Sequence, residues 1–441
     1  MSDLQAQDTP RDRPFNPFRI TNSDAAKSLV ADVLAQLSNY EQHFKLRQRA
    51  RRPEDQQRFE RIVETLICDL AHRELTHPGS WLAIPLSKQV LGRKNRYGSP
   101  VMSKALPDVL ERLASPEMSF VEIEAGYHGN PFVDQPNRQT VIRAGKRLLT
   151  RIRDNSLGFP DLGLDKHEEI IILRGKEGFS PKNTDLQYDD TPQTLTYREQ
   201  LRSINDWLEQ AYIDFDPIGD MEREVDPTDR RLVRIFNNGS FGQGGRLYGG
   251  FWQSLSSQQR LKGVQINGDS VASLDFGQMA PRILYGMAGA QPQFQDAYEL
   301  PGWERYRGSV KTMFNAMLHA PERHARFPQG LGGQFPKGTG VNKIIDAIME
   351  HHAPIQHLFY SGQGMEAMFK ESQILVDILL HLMEDEIVAF PIHDAVIVEE
   401  YWADVTKATM LEVFREHTGV EGTVEAEYRP LSSNYRDYLP A

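Results

Sequence analysis

Cysteine is nearly absent: Cys68 is the one thiol in 441 residues, which excludes an intramolecular disulfide framework and any cysteine-built structural zinc site. Long apolar runs are missing too. No stretch approaches the ~18–20 residues that a membrane-spanning helix needs, and Met1–Ile20 lacks the apolar core of a signal peptide. The expectation is a soluble, cytoplasmic protein with no membrane partner. There is no internal repeat and no low-complexity tract, which disfavours solenoids and propellers. Basic residues are the minority, 50 Lys and Arg against 61 Asp and Glu for a formal charge of −11, with a mean hydropathy of −0.51. As a bulk figure that argues against a polyanionic partner, since nucleic-acid binders usually carry a basic footprint. The length leaves room for about two to four domains, each with a hydrophobic core.

Residues 1–22 are polar and hold Pro10, Pro14 and Pro17, the composition of a disordered tail. In 23–154 two apolar stripes recur at spacings of three and four and predict amphipathic helices: Ala25, Leu29, Val30, Val33, Leu34, Leu37, then Phe59, Ile62, Val63, Leu66, Ile67, Leu70. PDVLERLASP then reads as helix, MSFVEIEAGYHG as strand and VIRAGKRLLTRIRD as helix, an order compatible with a winged-helix nucleic-acid-binding module. Residues 155–229 hold a strand, EEIIILRGKEG, a polar stretch and the helical LTYREQLRSINDWLEQA, and read as a linker with a helical region. From 230 to 441 the texture changes. Glycine is denser (FNNGSFGQGGRLYGGFWQ), VASLDF is strand-like, KTMFNAML and FKESQILVDILLHLM are helical, and IVAFPIHDAVIVEE is strand, turn, strand. The fold class is α+β.

Two aspartates in that half stand beside strongly apolar chain. Asp275 ends the strand VASL, and Asp394 sits at the turn between IVAFPI and VIV. A carboxylate there is tolerated where it faces solvent, a cation or a donor. Aspartate also favours turns, so either one alone is explained as a turn or cap residue. Brought together on neighbouring strands, the two would form a hard-oxygen site suited to Mg²⁺, which keeps waters and shares substrate phosphates. Such a site suits in-line phosphoryl transfer.

The segments around these aspartates occur in a telling order. Asp275 lies in LDFGQMAPRILYGMAG, which resembles motif A of the family A DNA polymerases through Asp275, Phe276, Gly277, Gln278 and Arg282. Asp394 lies in PIHDAVIVEE, which resembles motif C of that family and of the phage-type single-subunit RNA polymerases. Between them, Arg307 and Lys311 in RYRGSVKTMFNAMLHA have the spacing of motif B, and both cations fall on one helical face. GQGGRLYGG upstream, with Arg246, resembles the segment that tracks primer and template, and Gln363-Gly364 resembles a further one. The resemblance covers Phe236 to Glu400.

It implies a right-hand polymerase-like palm with reduced helical fingers in 230–441, a thumb-like helical region within 155–229, and a mainly helical region before them. It also implies template-directed nucleotidyl transfer on a DNA template or primer-template with nucleoside triphosphates. Asp275, Asp394 and the Phe276 main-chain carbonyl would hold two Mg²⁺, for which Mn²⁺ can substitute. Lys311 and Arg307 would neutralise the triphosphate and act with the aspartates in catalysis. Phe276, Gln278, Ala280, Asn315 and His319 would surround the nucleotide, and Arg246, Arg282, Gln363 and His393 would contact nucleic acid.

Three departures qualify the resemblance. Ala280 stands where family A DNA polymerases carry a Glu that excludes a 2′-hydroxyl, which favours tolerance of ribonucleotides. Ala395 replaces the Glu that follows the motif C aspartate, as in the RNA polymerases. Asn315 and His319-Ala320 replace the aromatic or Met and the Tyr-Gly usual after the motif B lysine; either His319 stacks on a base or donates a hydrogen bond to it, or nucleotide selection is altered or lost. The motifs are also closely spaced, implying small fingers and a primase-like or gap-filling enzyme. The competing reading is a replication-initiation or regulatory DNA-binding protein with a catalytically vestigial half, of which His319 and Ala395 would be marks; a third is a terminal transferase that needs no template.

The charge is unevenly spread. Arg138 to Arg153 holds Arg138, Arg143, Lys146, Arg147, Arg151 and Arg153 with no acid, and Lys45 to Arg61 holds seven cations against three acids. Local positive surface is what phosphate contacts need. As a recognition helix, the first would lay Arg143, Lys146, Arg147 and Arg151 against DNA. As solvated helix faces, neither would. The bulk charge therefore sharpens into a distribution, and the expected DNA affinity is modest and strongly salt-sensitive.

Overall fold

The two apolar stripes near the start of the chain become α1 (Asp24–His43) and α2 (Pro53–Thr76) in a computed structural model that describes residues 12–87, 90–92, 95–127, 138–176, 183–219 and 225–429. Ser23, extended, caps α1 by accepting the Ala26 amide, and Pro53 presets the first turn of α2. The described residues of Met1–Glu169 and Met221–Thr228 form one compact unit, and those of Ile170–Asp220 and Asp229–Ala441 a second.

In the first unit the stripes of α1 and α2 pack into one core, with Leu37, Ile62, Val63 and Leu66 fully buried. Over that core lie α3 (Leu106–Leu113) and α4 (Lys146–Asp154). A sheet runs in the order β1 (Arg13–Pro14), β3 (Leu82–Ala83), β5 (Val141–Ala144), β4 (Val121–Glu124), and β2 (Arg19–Thr21) pairs with β6 (Leu162–Leu164).

Two expectations are corrected here. Residues 12–22 are not a disordered tail: Phe15 is buried, and the buried Asp69 pairs with Arg13 at 2.6 Å and accepts the Asn16 amide at 2.8 Å. Residues 1–11 lie outside the described residues. Nor is the basic segment 138–153 one helix. Its β-branched start, Val141-Ile142, pairs as β5 with β4, and the helix begins only at Lys146, after Gly145. A Cβ on Gly145 would lie 2.5 Å from the Ser119 carbonyl oxygen. The β4–β5 pair belongs to the four-stranded sheet, so no free two-stranded wing forms among the described residues.

The second unit holds two sheets. One has the order β11 (Gly244–Gly249), β10 (Leu232–Phe236), β7 (Ile171–Lys176), β8 (Asn183–Asp185). It is covered by α5 (Pro192–Gln210), whose Tyr197 stacks on Phe236 at 5.2 Å. The described residues of 170–215 therefore do not form a linker: the apolar alternation of β7 is used in parallel pairing with β10. The other sheet runs β14 (Phe390–Ile392), β15 (Ala395–Glu399), β13 (Asp269–Phe276), β12 (Val264–Ile266), β9 (Ile213–Phe215), and β16 (Val424–Glu427) also pairs with β13. The unit's other helices are α6 (Ser257–Gly263), α7 (Met279–Met287), α8 (Arg307–His319), α9 (Val341–His351), α10 (Gly364–Glu384) and α11 (Ala403–Thr418); α6 and α11 pack on β13, and α10 packs on β11 of the first sheet. The architecture is mixed α+β with a helical N-terminal region. No helix among the described residues is long and apolar enough to cross a membrane.

Candidate functional site

Antiparallel pairing of β13 with β15 sets Asp275 opposite Ala395, and the Phe276 amide donates to the Asp394 carbonyl at 3.2 Å. Both aspartates are thus brought to one end of the same strand pair. The alternation of β13 buries Val271, Ala272, Leu274 and Phe276. Asp275 is left pointing into a cavity of about 300 Å³, which Asp394 and Lys311 also line.

Asp275 opens to solvent through that cavity, yet the surrounding protein removes enough water to dominate its titration. Burial, and then the charge of Asp394, push its carboxyl up to about 6, against the pull of Lys311. The neighbouring arginines are engaged elsewhere: Arg246 donates to Glu371 at 2.6 Å and Arg307 to Asp296 at 2.6 Å.

On α8, Arg307 and Lys311 are one turn apart and both lie over the ring of Tyr298, at 5.6 and 5.8 Å from its centre. Lys311 lines the cavity, whereas Arg307 does not. Tyr298 is buried, which raises its hydroxyl pKa, and Phe314 is core.

The remaining positions divide. Phe276, Gln278, Ala280, Asn315, His319 and Arg246 line the cavity. Gln278 sits in the left-handed region at φ 59°, and its amide is committed to the loop beside it, donating to the Gln295 carbonyl and accepting the Ala297 amide. His319 packs against Gly364, where a Cβ would lie 2.6 Å from its Nδ1. Burial, and then the positive Arg246, lower the pKa of His319.

Arg282, Gln363 and His393 are not among the lining residues. Arg282 is buried, donates to the Glu421 and Gln295 carbonyls and lies over Phe294, so its guanidinium is used inside the protein. Gln363 is the N-cap of α10. His393 forms the β14–β15 turn at φ 54°, edge-on to Tyr248.

In the first unit, Lys146, Arg147 and Arg151 line a separate open hollow of about 570 Å³. Arg143, on β5, pairs instead with Glu122 and lies over Trp81.

Sequence reasoning missed Glu371 and Tyr298, both in the cavity wall. Glu371 had a weak signal, an acid on the stripe of α10 that buries Ala367, Ile374 and Leu375. Tyr298, in an irregular loop, had none.

No family model matches the sequence and no curated protein does. Among solved structures, the chain is similar to the POL domain of Pol1 from M. smegmatis, solved in complex with DNA primer-template and dNTP. The match has a TM-score of 0.31 and 10% identity, and covers 93% of this chain and 66% of that one, so the chain spans just under two thirds of that domain's length. A likeness this weak and this low in identity decides neither family nor activity.

Proposed function

We propose that the second unit is a template-directed nucleotidyltransferase, a compact polymerase tolerant of ribonucleotides. One observation carries the reading: Asp275 and Asp394 meet at one strand end, in a cavity shared with Lys311, without an ion-pair partner among the described residues. A stabilising role would place a cation between them. Leaving like charges together is unfavourable unless a ligand supplies the positive charge.

The donor set fits Mg²⁺. Two hard carboxylates and the Phe276 carbonyl offer part of an oxygen shell, and among the described residues no group of three or more His, Cys, Asp or Glu is placed to hold an ion by itself. Mg²⁺ commonly takes one or two carboxylates and completes its shell with substrate phosphates and water. When bound, it would lower the pKa of the attacking 3′-hydroxyl and offset the charge of the leaving pyrophosphate.

The protein's own groups do the rest. Lys311 holds the triphosphate, with Tyr298 fixing its stem. Ala280 leaves space beside the sugar. Asn315 and His319 face the nucleotide, and Arg246, steadied by Glu371, meets the phosphates of primer and template. In this reading the sheet carrying β13 and β15 is the palm, and α8 with α9 are reduced fingers.

Purified protein with Mg²⁺ or Mn²⁺, labelled NTPs or dNTPs, and primed, unprimed or no template tests this. Metal-dependent incorporation directed by template and lost in Asp275→Asn supports it; full activity in Asp275→Ala refutes the mechanism. The engagement of Arg307 by Asp296 favours a second reading, a DNA-binding protein with a vestigial site. That reading gains if template binds and no nucleotide is incorporated in any pool.

A further inference from the structure

We propose that the connection between α1 and α2, residues 44–52 of the first unit, is a contact surface for single-stranded nucleic acid. Of the two cation-rich segments in this unit, 138–153 has an acidic partner for three of its six cations, whereas in 44–52 four of the five cations have none among the described residues. In 138–153, Arg138 pairs with Asp12 and Glu124, Arg143 with Glu122, and Arg151 faces Asp32 at 4.0 Å. Along α2, Arg58 pairs with Asp55, and Arg61 with Glu64 and Asp165.

The connection itself is different. Lys45, Arg47, Arg49 and Arg52 are exposed, no acid occurs between residues 44 and 52, and none of these four cations has an ion-pair partner among the described residues. Nearby, Arg51 and Arg112 share the single buried carboxylate of Glu41. Burial, opposed by Glu41 and reinforced by Arg47 and Arg112, holds Arg51 below its ordinary value. The four exposed cations of the connection thus add positive charge with no ion-pair partner among the described residues, and the one carboxylate nearby, Glu41, is already shared by Arg51 and Arg112.

Two further features specify the partner. The connection is held at both ends. The Phe44 and Leu46 amides donate back to the Tyr40 and Glu41 carbonyls at 3.0 and 2.9 Å, and Arg51 lies 3.4 Å over the ring of Phe59 while paired with Glu41. Its cations are thus displayed from a fixed base. Beside them stands an aromatic group, with Phe44 46% exposed and its ring 4.7 Å from Tyr40 and 4.8 Å from His43. Cations that track a backbone beside an exposed aromatic face suit unpaired bases, which a duplex keeps stacked inside.

The test uses the full-length protein and a fluorescein-labelled oligothymidine of about twenty nucleotides, titrated by anisotropy in EDTA without nucleotide at several salt concentrations. Arg47→Glu/Arg49→Glu should weaken binding about tenfold or more and reduce the salt slope by about 0.7 for each phosphate no longer neutralised. Phe44→Ala should weaken binding about tenfold with the slope unchanged, and should leave a duplex of equal length nearly unaffected. Lys146→Glu/Arg147→Glu should change both measures less. Thermal melts check folding, and Arg49→Gln is the milder variant if the double reversal does not fold.

Unchanged affinity and slope in folded charge-reversal or Arg49→Gln protein overturns the proposal. So does a wild-type protein that does not bind the oligonucleotide at low salt, or, in a parallel titration with phosphatidylserine vesicles, a charge-reversal loss seen with the vesicles and not with the oligonucleotide. Because neither metal nor nucleotide is present, the result stands whichever way the incorporation assay falls.

Discussion

In the first unit, Asp69 is held by Arg13, Glu41 by Arg51 and Arg112, and Asp226 by His72 at 2.8 Å, whereas in the second unit Asp275 and Asp394 share a strand end without such a partner among the described residues. The first arrangement is what folding alone favours, since a buried charge is tolerated when paired and hydrogen-bonded. Asp226 shows the balance: burial raises its pKa, but hydrogen bonds from His72 and Thr228 bring it below the ordinary value. The second arrangement is unfavourable in isolation. The contrast is between carboxylates paired within the fold and carboxylates left without an ion-pair partner among the described residues, and it is one of geometry, since both kinds are aspartates or glutamates close to apolar chain.

The sharpest way to break this contrast is to neutralise one residue of each kind. Asp275→Asn should reduce nucleotide incorporation by about a thousandfold and leave the melting temperature equal or higher, because it relieves repulsion with Asp394. A lower melting temperature with activity retained would make Asp275 a structural acid like those of the first unit. Glu41→Ala should do the reverse, leaving two guanidiniums without their carboxylate and destabilising the fold by about 3–5 kcal/mol in denaturant unfolding. Unchanged unfolding would show that Arg51 and Arg112 find solvent instead.

His352 extends the comparison to a buried base in the second unit. It is fully buried, its Nε2 donating to the Ala297 carbonyl at 2.8 Å and its Nδ1 facing the Tyr285 hydroxyl at 3.3 Å. Burial lowers its pKa from 6.5 to about 4. The unfolded chain therefore takes up the proton first. The His352 contribution is fully present above about 6.5, and up to about 3 kcal/mol is lost as pH falls towards 4. Unfolding measured across that window should show the slope, and His352→Gln should flatten it; an identical slope in the variant would assign the loss to other groups.

A smaller effect is expected at Gly364. Alanine there meets His319 Nδ1 at 2.6 Å and the Leu318 carbonyl at 2.8 Å. It should destabilise by about 1–3 kcal/mol and raise the nucleotide KM more than it lowers kcat. A wild-type KM would take His319 out of the nucleotide site.

How much of the fold and the site is readable from the chain varies by segment. The strand ending at Asp275, the turn at Asp394 and the helical phase of Arg307 and Lys311 follow from local periodicity, and β13, the β14–β15 turn and α8 form there. Elsewhere periodicity misleads. Val141-Ile142 continues a helical pattern on paper but forms β5, because β4 offers a pairing edge that the pattern does not encode. Residues 12–22 resemble a tail because nothing nearby in sequence needs them; Asp69, far along the chain, does. Arg282 matches a motif position and is turned inward by carbonyls at 295 and 421.

What the sequence by itself determined is the local framework: apolar stripes, strand ends, turn residues, and the placing of acids and cations along each element. These depend on interactions within a few residues and so can be read from spacing. Only the tertiary structure decided which charges remain free. Arg246 is tied to Glu371, Arg307 to Asp296 and Arg143 to Glu122, while Lys311, Asp275, Arg47 and Arg49 have no ion pair among the described residues. An ion pair needs its partners within about 4 Å, and which residues come that close is settled by how the elements pack, not by their order in the chain.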